Sequence, residues 1–73
     1  MPVNVDNYID VFTYHAPAGD APARYERLRG AAKELAKVIL EVTPGCADQQ
    51  AALRLLREAV MTANASIALN GSV

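Results

Sequence analysis

The 73 residues include one cysteine, one histidine, one phenylalanine and no tryptophan. A lone Cys46 excludes an internal disulfide, and Cys46 with His15 falls short of the four ligands of an ordinary zinc site. Two of the staples that small chains rely on are therefore missing, and no metal or cofactor is expected. A chain of roughly 60 to 70 residues buries only about 60% of its unfolded surface, so a core of its own is marginal. Assembly is the remedy left. The hydrophobic fraction is 52%, much of it alanine, which suits helices that pack closely against copies of themselves. Long apolar runs are missing too: no stretch of roughly 18 apolar residues exists to cross a bilayer, and no basic segment with an apolar core opens the chain. The expectation is a soluble intracellular protein, with no membrane partner and with Cys46 reduced.

Strong net charge is the next absence. A formal charge of −1 is unsuited to coating a nucleic-acid polymer, which requires a basic field. The charge is unevenly placed, however. Residues 1–20 hold Asp6, Asp10 and Asp20 with no Lys or Arg, whereas residues 21–42 hold Arg24, Arg27, Arg29, Lys33 and Lys37 against Glu26, Glu34 and Glu41. Arg54 and Arg57 then balance Asp48 and Glu58. A locally basic helix on a nearly neutral protein suits a small phosphate ligand better than a polymer.

Residues 1–20 lack a helical period. Val3, Val5, Ile9 and Val11 hint at alternation, but Pro2, Asn4 and Asn7 interrupt any long strand, and Pro17 and Gly19 forbid regular structure up to Asp20. The expectation is an extended arm with one short turn, carrying Tyr8, Phe12 and Tyr14. A first helix is predicted over 22–42, with Pro22 in its first turn and Asp20 as cap. Leu28, Ala32, Leu35 and Ile39, with Ala31, Val38 and Val42, form its apolar stripe. Gly30 permits the close approach of a neighbour, and Thr43-Pro44-Gly45 ends the helix. A second helix is predicted over 47–69, with Ala52, Leu56, Ala59, Ala63 and Ile67 inward, Leu53 and Val60 widening that face on one side, Leu55 and Leu69 on the other. Asn70-Gly71 closes it, leaving a tail over 70–73. So short a connection makes the helices antiparallel neighbours. The second helix is apolar over more than half its circumference, too wide for one partner, which again points to a homo-oligomer.

Three groups of residues carry possible chemistry. Tyr14-His15 offers a ring to stack on a base with an imidazole beside it; the alternative is a Tyr packed on the hairpin with a surface His. Arg29, Lys33 and Lys37 lie one turn apart on one face, with Tyr25 one turn before Arg29, as a phosphodiester with a base requires. The alternative is a solvated face laced by the pairs Glu26–Arg29 and Glu34–Lys37. Asn64 sits late in the second helix, where Asn has poor propensity, so it either bonds a base or pairs across an interface. No catalytic residues are indicated: Cys46 lies in a turn with no nearby base, and no Ser elbow or Gly-rich phosphate loop exists.

Three strings in order resemble a known family: FTYHAP (Phe12–Pro17), RYERLRGAAKELA (Arg24–Ala36) and LREAVMTANASIALN (Leu56–Asn70). They look like the phage anti-CBASS and anti-Thoeris nucleotide sponges that share the Acb/Tad hairpin domain, and with their spacings they span residues 12 to 70. The resemblance implies an oligomer, a hexamer in the best-known members, that sequesters cyclic di- or trinucleotide or cyclic ADP-ribose-type immune messengers in the host cytoplasm without cleaving them. By position, the family's base-stacking Tyr falls on Tyr14 and its phosphate-contacting cation on Arg29. His15 and Lys33 are their neighbours, and Asn64 lies in the family's ANA motif. Thr62 stands where many relatives carry Trp, and the loop reads Ala-Pro-Ala-Gly in place of Pro-Pro-Thr-Pro.

The expectation is thus one all-α domain over 1–73: an antiparallel two-helix hairpin with an extended N-terminal arm, assembled as a homo-oligomer. The rival expectation is a helical hairpin whose only work is oligomerisation or protein–protein contact.

Overall fold

A computed structural model describes residues 2–71. The chain folds into a short helix α1 (Tyr8–Val11), then two long helices, α2 (Ala21–Val42) and α3 (Ala47–Ala68), each of 22 residues. At 1.5 Å per residue each long helix runs about 33 Å. They pack on each other as a hairpin, and the described residues contain no strand.

The boundaries follow local chemistry. Pro22 sits in the first turn of α2, and Asp20 takes the cap position without the expected side-chain cap. Its carboxylate instead lies 3.8 Å from Arg24 one turn on, while its carbonyl accepts the first helical bond from the Arg24 amide. Thr43 is extended, as a residue before proline prefers. Beyond α3, Asn70 and Gly71 adopt φ of 52° and 73°, and the Gly71 amide donates back to the Ser66 carbonyl. Both residue types tolerate that left-handed region, which ends the helix. The tail expected over 70–73 is therefore in part a helix stop; 72 and 73 lie outside the described residues.

The turn between the long helices is held by a clasp that periodicity does not reveal. Gln49, only 8% exposed, donates its side-chain N–H to both the carbonyl and the hydroxyl of Thr43, each at 3.1 Å. That hydroxyl in turn donates to the Ile39 carbonyl. The last turn of α2 is thereby tied to the first turn of α3.

The arm is less extended than expected. Asn4 and Asn7 spend their amides locally: the Asn7 side-chain oxygen accepts from the Asn4 amide, and the Asn4 oxygen accepts from the Asp6 amide, each at 2.8 Å. Such side-chain turns divert the backbone from strand pairing and set up α1. The Val alternation has no strand behind it.

Burial is slight. Among the described residues only Ala21 and Gln49 are buried, and no large side chain is fully so. Leu28, Ala32, Ala36 and Ile39 of α2 face Leu53, Leu56, Val60, Ala63 and Ile67 of α3 at half-burial. Leu35, Val38, Val42 and Leu55 stay exposed, so the outer half of each apolar stripe is uncovered within one chain. The radius of gyration is 15.2 Å, against about 11 Å for a compact domain of this length. The accessible surface of 5644 Å² likewise exceeds the roughly 4,400 Å² of a typical monomer of this mass. Gly30 lies in unbroken helix, and a Cβ there meets nothing within 4 Å; among the described residues no segment makes the close approach expected at that position.

Candidate functional site

Away from the clasp, the arm folds against the hairpin and shapes a groove of about 500 Å³. The arm contributes Val11, Thr13, Tyr14, His15 and Pro17; α2 contributes Tyr25 and Arg29; α3 contributes Met61, Asn64, Ala65 and Ala68, with Leu69 just beyond. Four of the five residues singled out in the sequence, Tyr14, His15, Arg29 and Asn64, therefore line one concavity although they are up to 50 positions apart.

Each is held differently. Tyr14 is 83% exposed, and its ring is free for a partner. His15 has only 27% of its side chain exposed; its Nε2 lies 2.7 Å from the Asp10 carbonyl oxygen and 3.7 Å from the Asp10 carboxylate. A carbonyl only accepts, so Nε2 carries the proton. Arg29 is half-exposed and ion-paired with Glu26 one turn earlier, as the spacing suggests. Its planar fork is suited to phosphate oxygens. The Asn64 side-chain oxygen is buried and has no hydrogen-bond partner among the described residues, an omission that costs about 1–3 kcal/mol.

Lys33 lies elsewhere. It lines a neighbouring groove of about 290 Å³ with Arg57, Leu53, Leu56 and Val60, and Arg29 and Met61 stand on the ridge common to both grooves. Among the described residues no carboxylate pairs with Lys33 or Arg57, so the second groove carries unneutralised positive charge. The expected Glu34–Lys37 pair is absent; Lys37 instead reaches Glu41 at 3.9 Å. In the sequence Arg57 only balances charge. Its place opposite Lys33 depends on how the two helices are staggered, which neither helix's own period encodes. Thr62 lines neither groove, and its hydroxyl donates to the Glu58 carbonyl at 2.9 Å. Cys46 is free and exposed. Among the described residues no three His, Cys, Asp or Glu side chains gather as a metal site would require, and no helix is long and apolar enough to cross a membrane.

An arm closing one end of a helical hairpin, with an exposed ring, a guanidinium and an amide around one groove, defines a helical-hairpin module built to present polar and aromatic groups on its surface. The model of the family described as Acb2/Tad1, hairpin domain, matches residues 7–68, and the chain belongs to that family. The match takes in α1, both long helices and every residue of the groove but Leu69. Membership fits a phage anti-defence sponge at the level of the family. No curated protein and no solved structure gives a match.

Proposed function

We propose that this protein binds cyclic oligonucleotide or cyclic ADP-ribose-type immune messengers in the host cytoplasm and sequesters them without cleavage, so that an immune effector is not activated. The observation that carries this reading is the convergence of Tyr14, Arg29 and Asn64, from the arm and both helices, on one groove in a chain of this family. Tyr14 stacks on a base, Arg29 binds phosphate, and Asn64 offers its amide to a base edge. Lys33 extends the positive field beside Arg29. His15 sits next to the stacking ring.

The working form is a homo-oligomer of antiparallel hairpins, each chain a single domain, and the family points to a hexamer. The uncovered apolar stripes and the surface in excess of a typical monomer support assembly. Energetics favour a site made twice. A stack contributes ~1–3 kcal/mol per base and a hydrogen bond to a charged group ~1.5–3 kcal/mol. One half-site therefore falls short of the roughly 8 kcal/mol of micromolar binding. Two copies related by a two-fold axis present the same residues to both halves of a symmetric ligand and approach the roughly 12 kcal/mol of nanomolar binding.

The test is calorimetry against a panel of cyclic dinucleotides, cyclic trinucleotides and cyclic ADP-ribose isomers. The expected result is tight binding of at least one, released chemically unchanged when the protein is denatured. Silence across the panel at micromolar protein removes the reading, and release of an altered nucleotide replaces it with an enzyme.

A further inference from the structure

His15 is the least exposed residue of the segment that carries Tyr14, and its ring points back into its own arm. The carbonyl oxygen of Asp10 accepts two bonds, from the Thr13 amide at 3.2 Å and from His15 Nε2 at 2.7 Å. The Thr13 hydroxyl adds a bond to the Ile9 carbonyl at 2.5 Å. The residues on either side of Tyr14 are thus pinned to the end of α1, while Tyr14 itself makes no side-chain hydrogen bond among the described residues and stays 83% exposed. An exposed tyrosine on an irregular arm of few buried contacts is otherwise expected to sample many directions.

From this bracket we infer that His15 is a positioning residue: through Nε2 and the Asp10 carbonyl it fixes the backbone beneath Tyr14, so that the ring is already aimed into the groove before a ligand arrives. The inference rests on the proposed binding function and changes one part of it. His15 acts on the ligand through Tyr14 instead of touching it, because its Nε2 proton is already spent. Without the bracket, only a fraction of arms hold the ring in place, and apparent affinity falls by that fraction. A bond present in both free and bound protein cancels from the dissociation step, so the loss appears in the association rate. Removal of a direct contact has the opposite signature and speeds dissociation.

The experiment compares the whole protein with His15→Phe, His15→Gln and His15→Asn, using stopped-flow binding of cyclic di-AMP, or of whichever panel nucleotide the wild type binds. Backbone amide exchange of residues 10–16 is followed in the free proteins. Gln places a donor where Nε2 sits; Asn places polar atoms where Nδ1 sits. The expected result for Phe and Asn is faster exchange at Thr13 and an association rate about tenfold lower, the scale of one net hydrogen bond, with dissociation unchanged; Gln recovers both readouts. Protection retained in Phe, or a loss confined to the dissociation rate, overturns the inference. So does recovery by Asn and not by Gln, which would place Nδ1 on the ligand. If the wild type binds nothing in the panel, the sponge reading falls and this role falls with it. A binding wild type with an indifferent Phe variant defeats the positioning role alone.

Discussion

The two ends of the hairpin are built on opposite plans. At the turn, polar groups are consumed: Gln49 is buried, and its amide donates to both oxygens of Thr43. At the other end they are left unspent. Among the described residues Tyr14 makes no side-chain hydrogen bond, Arg29 pairs with an exposed Glu26, and the Asn64 oxygen, itself shut off from solvent, has no partner. A satisfied polar group stabilises the fold and is unavailable for anything else, whereas an unsatisfied one costs stability until something arrives to pair with it. The turn end sets where the two helices stand relative to each other, and the open end depends on that setting to bring α2 and α3 residues to one groove.

Substitutions at the two ends should therefore separate binding from stability. The largest effect is expected at the open end. On the proposed reading, Arg29→Glu removes a charge-assisted bond from each half-site and adds repulsion. At ~1.5–3 kcal/mol per bond the loss exceeds a hundredfold in calorimetry, and Tyr14→Ala follows at ~1–3 kcal/mol per base stacked. Circular dichroism and sedimentation should show helix content and assembly intact in both. If the double variant dissociates, these residues belong to the interface and the comparison collapses.

Next comes the clasp. Gln49→Ala is expected to lower stability in denaturant melts by about 1–2 kcal/mol while leaving nucleotide affinity of the folded protein nearly unchanged. A large affinity loss would show that the stagger of the helices tunes the groove directly.

Gly30→Ala tests the middle of α2. Within one chain the added methyl meets open space, so helix propensity alone predicts a gain of about 1 kcal/mol. A higher melting temperature with unchanged assembly is the expected outcome. Loss of assembly would reveal that a neighbouring copy packs against the glycine.

The smallest effect belongs to Glu26→Gln. Exposed pairs are worth ~0–1 kcal/mol, so releasing Arg29 should tighten binding about two- to fivefold at low salt, and the gain should fade as salt rises. Weaker binding would mean that Glu26 orients the guanidinium and does not compete with phosphate for it.

Much of the scaffold was legible because it is punctuated. Pro22, the Thr43-Pro44-Gly45 turn and Asn70-Gly71 mark the long helices to within a residue or two, each by a local backbone rule. The arm was not, because Asn4 and Asn7 act through side-chain oxygens on nearby amides and leave no period to read. For Tyr14 and Arg29 the residues alone favour packing and solvated charge, and only the resemblance points to a ligand. That Asn64 shares their groove while Lys33 lies in the next one is a matter of helix stagger, and the same is true of Arg57. Gln49 leaves no signal in the sequence, because one polar residue in a first helical turn looks like any other.

The molecule measures 45 × 27 × 16 Å, a sheet of matter about one helix pair deep, and among the described residues no large side chain is sealed from solvent. Few substitutions in such a chain open a cavity, the mechanism behind the costliest single changes in globular proteins. Mutational drift is checked mainly at the clasp and along the line where the two helices meet. Outside the apolar stripes, the polar faces are cheap to rewrite, which leaves the charge of the grooves open to rapid change by selection.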